Sequence, residues 1–209
     1  MSPLHLGVLL ALAWAILALG SMHRKAKAFG PASTFAKPAG DFRRGVRYAF
    51  TKGMAPWAKE SVMLNLPSYG AGMVFHAGVI TALGMLLLTL AGLRPAGLAM
   101  TLARLLTLAG AFAGAALLAK RLVNRELRGL SCPDDFVANL LCTAFALLAC
   151  GAASGAALGG AWLAEAVLLM VYAPLGKIRH CLFFFTTRYH FGAFFGRRGT
   201  FPPGGSFHA

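Results

Sequence analysis

The chain contains six histidines: His5, His23, His76, His180, His190 and His208. Only His76 lies well inside a long apolar run, and His180 closes another. An imidazole within a bilayer is costly unless it has a partner. A metal, a neighbouring backbone carbonyl or a proton relay would each serve. Two neutral imidazoles facing one another suit the two axial positions of an iron porphyrin. With both positions filled, such a group carries electrons and offers no open site for oxygen or substrate. Helical rise gives the two residues a common depth. His76 lies 17 residues below Leu93, about 25 Å, and His180 lies 19 residues below Ala161, about 28 Å. Helices running in opposite directions would bring both rings to one level near the same membrane face.

Two charges also fall inside apolar runs. Arg104 lies about 13 Å below the outer end of its run and Glu165 about 6 Å below the outer end of its own. An arginine can reach several ångströms along a helix, so the two could pair in the outer half. Such a pair would bind a quinone carbonyl or take the proton of an oxidised quinol. A purely structural ion pair, or two separately snorkelling side chains, would fit the same spacing. At the opposite edge, Lys120, Arg121, Lys177 and Arg179 are placed to hold haem propionates or simply to decorate a basic face. Cys132, Cys142, Cys150 and Cys181 have no metal-binding spacing and read as small apolar filler. No catalytic nucleophile, metal cluster or phosphate loop is evident.

These residues sit in a composition that a water-soluble domain does not have. Of 209 residues, 58% are hydrophobic and 12% charged, about half the charge of an ordinary soluble protein. Disorder is excluded on the same grounds. The net charge of +14 would suggest nucleic acid on a soluble chain. On one this apolar it reads as basic loops kept on one side of a bilayer.

A span needs roughly 20 apolar residues. The first run is Leu4 to Met22, with its basic cluster after it rather than before, so it reads as a retained helix and not a secretory signal. The second is uncharged from Ser61 to Leu93, and the third runs from Pro95 to Ala119. The 40 residues from Phe136 to Leu175 are too many for one span and divide at the small-residue stretch 151–160. Five spans result. Segment 23–67 carries nine Lys/Arg, 120–130 carries four, and the tail from Lys177 carries five, whereas the alternate connections hold one and none. The expected fold is an all-α, integral membrane five-helix bundle with its N-terminus outside and its C-terminus cytoplasmic.

The expected organisation is a first transmembrane helix over 1–22 and a basic cytoplasmic segment over 23–67. That segment includes an amphipathic helix near Phe42–Met54 and the aromatics Phe35, Phe42, Tyr48, Phe50 and Trp57. A four-helix core follows over 68–200, with helices near 68–93, 96–119, 135–157 and 161–182 and a cytoplasmic tail from about 183. Residues 201–209 read as a flexible tail. Glycines four apart at Gly110/Gly114 and Gly151/Gly155/Gly159 would let helices, or a flat cofactor, approach closely.

Three stretches carry a family resemblance: Ala55-Pro-Trp-Ala-Lys-Glu-Ser61 leading into Tyr69-Gly-Ala-Gly-Met-Val-Phe-His-Ala-Gly-Val79; Lys120-Arg-Leu122; and Tyr172-Ala-Pro-Leu-Gly-Lys-Ile-Arg-His-Cys181. In order and spacing the chain from about 55 to 190 resembles the membrane cytochrome b (gamma) subunit of respiratory nitrate reductase. It is closer still to the related subunits of heterodisulfide-reductase-like and sulfite-reductase-associated complexes. The resemblance implies a subunit that exchanges electrons between membrane quinone and a cytoplasmic iron–sulfur or flavin partner in the inner (cytoplasmic) membrane. It implies His76 and His180 as haem b ligands. Two-haem relatives carry a second histidine pair where this chain has Leu86 and Trp162, so a single bis-histidine haem is expected. The competing reading is a haem-free scaffold or small transporter component that uses an Arg104/Glu165 intramembrane pair.

Overall fold

The computed structural model describes residues 2–30 and 37–203; Phe35, His208 and the tail from 204 lie outside the described residues. The chain forms α1 (Pro3–Ala28), α2 (Phe42–Phe50), α3 (Glu60–Met63), α4 (Leu66–Leu90), α5 (Gly97–Val123), α6 (Arg125–Gly129), α7 (Pro133–Ser154), α8 (Gly159–Tyr172) and α9 (His180–Arg197). Single turns of 3-10 helix occur at Lys52–Met54, Pro56–Ala58, Ala156–Leu158 and Lys177–Arg179. No strand occurs among the described residues. Helices α1, α4, α5 and α7 are each long and apolar enough to cross a membrane. A fifth span exists if α8 and the helical chain from Lys177 to Arg197 are taken as one interrupted crossing. The protein is an all-α, multi-pass membrane helical bundle.

The interruption corrects the single helix expected over 161–182. Pro174 has no N–H to give to Met170, and its ring opposes a continuing helix. Helix α8 therefore stops at Tyr172. The Tyr172 carbonyl accepts from Leu175 N at 2.9 Å and Gly176 N at 3.0 Å, which closes the turn. A side chain at Gly176 would strike the Tyr172 ring and the Asp134 carboxylate. The segment expected as a tail from about 183 is instead most of α9. A depth for His180 measured along one straight helix from Ala161 therefore does not apply.

The chain divides into two units, 1–18 with 67–178 and 19–66 with 179–209. In the first, small and medium residues of α1 (Val8, Ala11, Ala15), α4 (Ala82, Met85, Leu86), α5 (Ala103), α7 (Phe145, Ala149) and α8 (Trp162, Leu163, Ala166, Leu169) share one core. Large leucines point outward instead: Leu10 is 64% exposed, Leu105 58% and Leu168 58%. That inversion suits lipid, where close backbone packing rather than hydrophobic burial joins helices. Of the glycine repeats, Gly110 packs against Gly78, and a side chain at Gly114 would strike Thr143 and Phe75. Gly155 and Gly159 face open space.

In the second unit α2 packs on α9 through glycine. A Cβ at Gly192 would lie 2.7 Å from Val46 Cα and 2.9 Å from the Gly45 carbonyl oxygen, and one at Gly196 would lie 2.7 Å from Gly45 Cα. Arg188 locks the contact by donating to the carbonyls of Ala49 (2.8 Å) and Gly53 (2.6 Å). Asp41 caps α2 by accepting from Arg43 N at 2.8 Å.

Candidate functional site

His76 lies in the N-terminal half of α4, a stretch that contributes no buried residue before Gly78. Its Nδ1 is 2.7 Å from the Gly72 carbonyl oxygen. A carbonyl can only accept, so Nδ1 carries the proton and the lone pair belongs to Nε2. That is the tautomer a metal-ligating histidine requires, held by the kind of second bond that orients such ligands. Gly72 meets nothing within 4 Å where its side chain would be, and the Phe75 ring stands edge-on to the imidazole at 6.1 Å. The imidazole is exposed, and Gly72 one turn earlier carries no side chain. The donor chemistry at His76 fits a haem ligand. In the second unit His180 is the first residue of α9 and is exposed.

The other end of α4 differs. Leu86 is 2% exposed and Trp162 4%, and both belong to the apolar core. The Trp162 indole stacks on Phe145 with centroids 6.1 Å apart. Packed carbon surrounds both side chains.

The basic residues singled out in the sequence are largely engaged. Arg121 donates to Ser131 Oγ at 2.8 Å and lies 3.6 Å from Asp135 Oδ1. Lys177 Nζ lies 2.7 Å from the same carboxylate. Lys120 donates to Ser68 Oγ, and Arg179 is exposed. Sequence reasoning missed Asp134 and Asp135, which organise this edge. Asp135 accepts from the Cys132 backbone N at 3.0 Å as part of a capping box, and Asp134 accepts from the Tyr172 hydroxyl. The signal was present: a Pro at the first helical position and an acid two residues later announce a helix start.

Arg104 and Glu165 do not form an ion pair. Arg104 donates from Nη2 to the Ala153 carbonyl, one of the last four of α7. Those terminal carbonyls lack intrahelical donors and carry the negative end of the helix dipole, so they attract the guanidinium. Arg104 Nε, Glu165 Oε1 and Trp162 Nε1 are buried with no hydrogen-bond partner among the described residues. The Arg104/Glu165 pair on which the transporter reading relied is thus not formed. No disulfide joins Cys132, Cys142, Cys150 and Cys181 among the described residues. No group of three or more His, Cys, Asp or Glu suited to a metal ion occurs among the described residues; two axial histidines fall outside that criterion. Comparison of the chain with family models, curated proteins and solved structures gives no match.

Proposed function

We propose that this chain is the haem b membrane anchor of a respiratory oxidoreductase complex. It passes electrons between membrane quinone and an iron–sulfur partner subunit at the cytoplasmic face. The observation that carries the reading is His76: a membrane-helix imidazole whose Nδ1–H is committed to the Gly72 carbonyl, on the half of α4 that the core leaves uncovered. His180, the other histidine that the sequence resemblance implies, would hold the group with it. A haem held by these histidines would supply one-electron transfer.

The chain's own part is to hold and insulate. The Gly72 carbonyl fixes the His76 ring and raises its basicity. Of the four cations considered for propionates, Arg121 and Lys177 are drawn to Asp135 and Lys120 to Ser68. Leu86 and Trp162 restrict the chain to one haem. Of the two quinone candidates, Arg104 is committed to Ala153, and Glu165 keeps a buried oxygen for a quinone hydroxyl or its proton. The positive-inside pattern supports a cytoplasmic position for segment 23–67 and the tail from Lys177, where an acidic partner would meet them. A reduced-minus-oxidised spectrum of the purified chain, expressed with ample haem, tests the reading. A b-type band is expected, and a flat difference spectrum would reject it.

A further inference from the structure

In the second unit, α2 and the turn that follows it border a cleft of about 230 Å³ lined by Arg44, Arg47, Tyr48, Thr51, Lys52 and Pro202. Three of these side chains are cations, and among the described residues no carboxylate lines the cleft. Asp135 pairs with Arg121 and Lys177, and Asp41 accepts from Arg43 N as the cap of α2. Arg44, Arg47 and Lys52 gather three positive charges against the single carboxylate of Asp41 in the stretch 41–52. Arg44 and Arg47 stand three apart on one helix face, where two cations repel unless an anion lies between them. The cleft holds several water volumes of about 30 Å³ each, enough for a phosphate group. The Thr51 hydroxyl donates to the Arg47 carbonyl at 2.7 Å, so the cations are the principal donors.

The same helix says where the phosphate comes from. Gly45 and Ala49 are buried against α9, and Phe42, Val46 and Phe50 recur every four residues on the adjoining face. Phe42 is 45% exposed and Phe50 37%. Cations on one side of a short helix and exposed aromatics on the other are the arrangement of a helix lying in a lipid interface. We propose that this cleft binds the phosphate of an anionic phospholipid, with Arg44, Arg47 and Lys52 around the headgroup and Phe42 and Phe50 toward the acyl chains. The site is independent of the haem reading.

The test uses the full chain, delipidated in detergent and titrated with phosphatidylglycerol, phosphatidylcholine or inorganic phosphate, with bound lipid counted by native mass spectrometry. Phosphatidylglycerol should be retained at least about tenfold more tightly than phosphatidylcholine. At about fivefold per cation, R44Q/R47Q should weaken it about 25-fold and K52Q about fivefold. R24Q/K25Q removes the same charge from the end of α1 and should change retention less than about twofold. Equal loss in that control would overturn the site in favour of diffuse positive charge. Inorganic phosphate that displaces the lipid at equal concentration would overturn the headgroup assignment in favour of a free anion. Loss of a protein partner from the native complex on R44Q/R47Q, with lipid retention unchanged, would reassign the cleft to an acidic protein surface.

Discussion

Replacing Gly192 by alanine tests how α9, which begins with His180, is held. The new methyl would lie 2.7 Å from Val46 Cα, 2.9 Å from Ala49 Cβ and 2.9 Å from the Gly45 carbonyl oxygen. Non-bonded carbons prefer about 3.5–4.0 Å, so α2 must retreat by about 1 Å. Two of the three obstacles are backbone atoms, and no rotamer change relieves them. A retreat of that size stretches the Arg188 bonds to Ala49 and Gly53, now 2.8 and 2.6 Å, out of hydrogen-bond range. Overpacking costs about 1–3 kcal/mol, and lost charge-assisted bonds add to it. The helix-propensity gain of alanine over glycine, about 1 kcal/mol, offsets part. A net loss of about 1–3 kcal/mol raises the open population of α2 about 5- to 140-fold. Trypsin reads this directly, because Arg43, Arg44 and Arg47 are cleaved only when α2 opens, at a rate that follows the open population. Gly20→Ala in α1, where a methyl meets nothing within 4 Å, is the control and should leave cleavage at these sites unchanged. Cleavage of Gly192→Ala no faster than wild type would refute the glycine contact.

Three further outcomes follow from the first unit. A double-mutant cycle of Arg104→Gln and Glu165→Gln, read by thermal unfolding in detergent, should give a coupling below about 0.5 kcal/mol; a coupling above about 1 kcal/mol would restore the ion pair. Asp135→Asn removes the partner of Lys177 and Arg121 and weakens the cap at Cys132. Both cations are substantially exposed, so the cost should be about 1–2 kcal/mol, a fall of about 3–6 °C in midpoint. An unchanged midpoint would show that this edge is not held by Asp135. Haem iron per polypeptide should be near one, since Leu86 and Trp162 fill the outer level; a value near two would place a second haem elsewhere.

Much of the architecture was legible because bilayer thickness demands long apolar runs, and α1, α4, α5 and α7 follow the runs closely. The fifth crossing misled because hydropathy continues through Tyr172-Ala-Pro-Leu-Gly176, where Pro174 stops the helix without lowering the apolar content. Helix α9 was hidden for the opposite reason: its arginines and aromatics resemble a tail, and its glycines become meaningful only when Gly45 is set against them. The partner of Arg104 was illegible, since it depends on which helix terminus packs beside α5. His76 was singled out by its type and position, and its Nδ1 meets the Gly72 carbonyl, one of the partners the sequence offered.

The most direct test of the haem site is reduced-minus-oxidised absorption, measured together with haem content, on wild type, His76→Ala and His180→Ala. The Gly20→Ala variant, where a methyl meets nothing within 4 Å, serves as the folded reference that separates ligand loss from general misfolding. Wild type should show a b-type spectrum, and each alanine variant should lose it while remaining folded in detergent. An unaltered spectrum in either variant would contradict the assignment of that histidine, and no haem in the wild type would contradict the account as a whole.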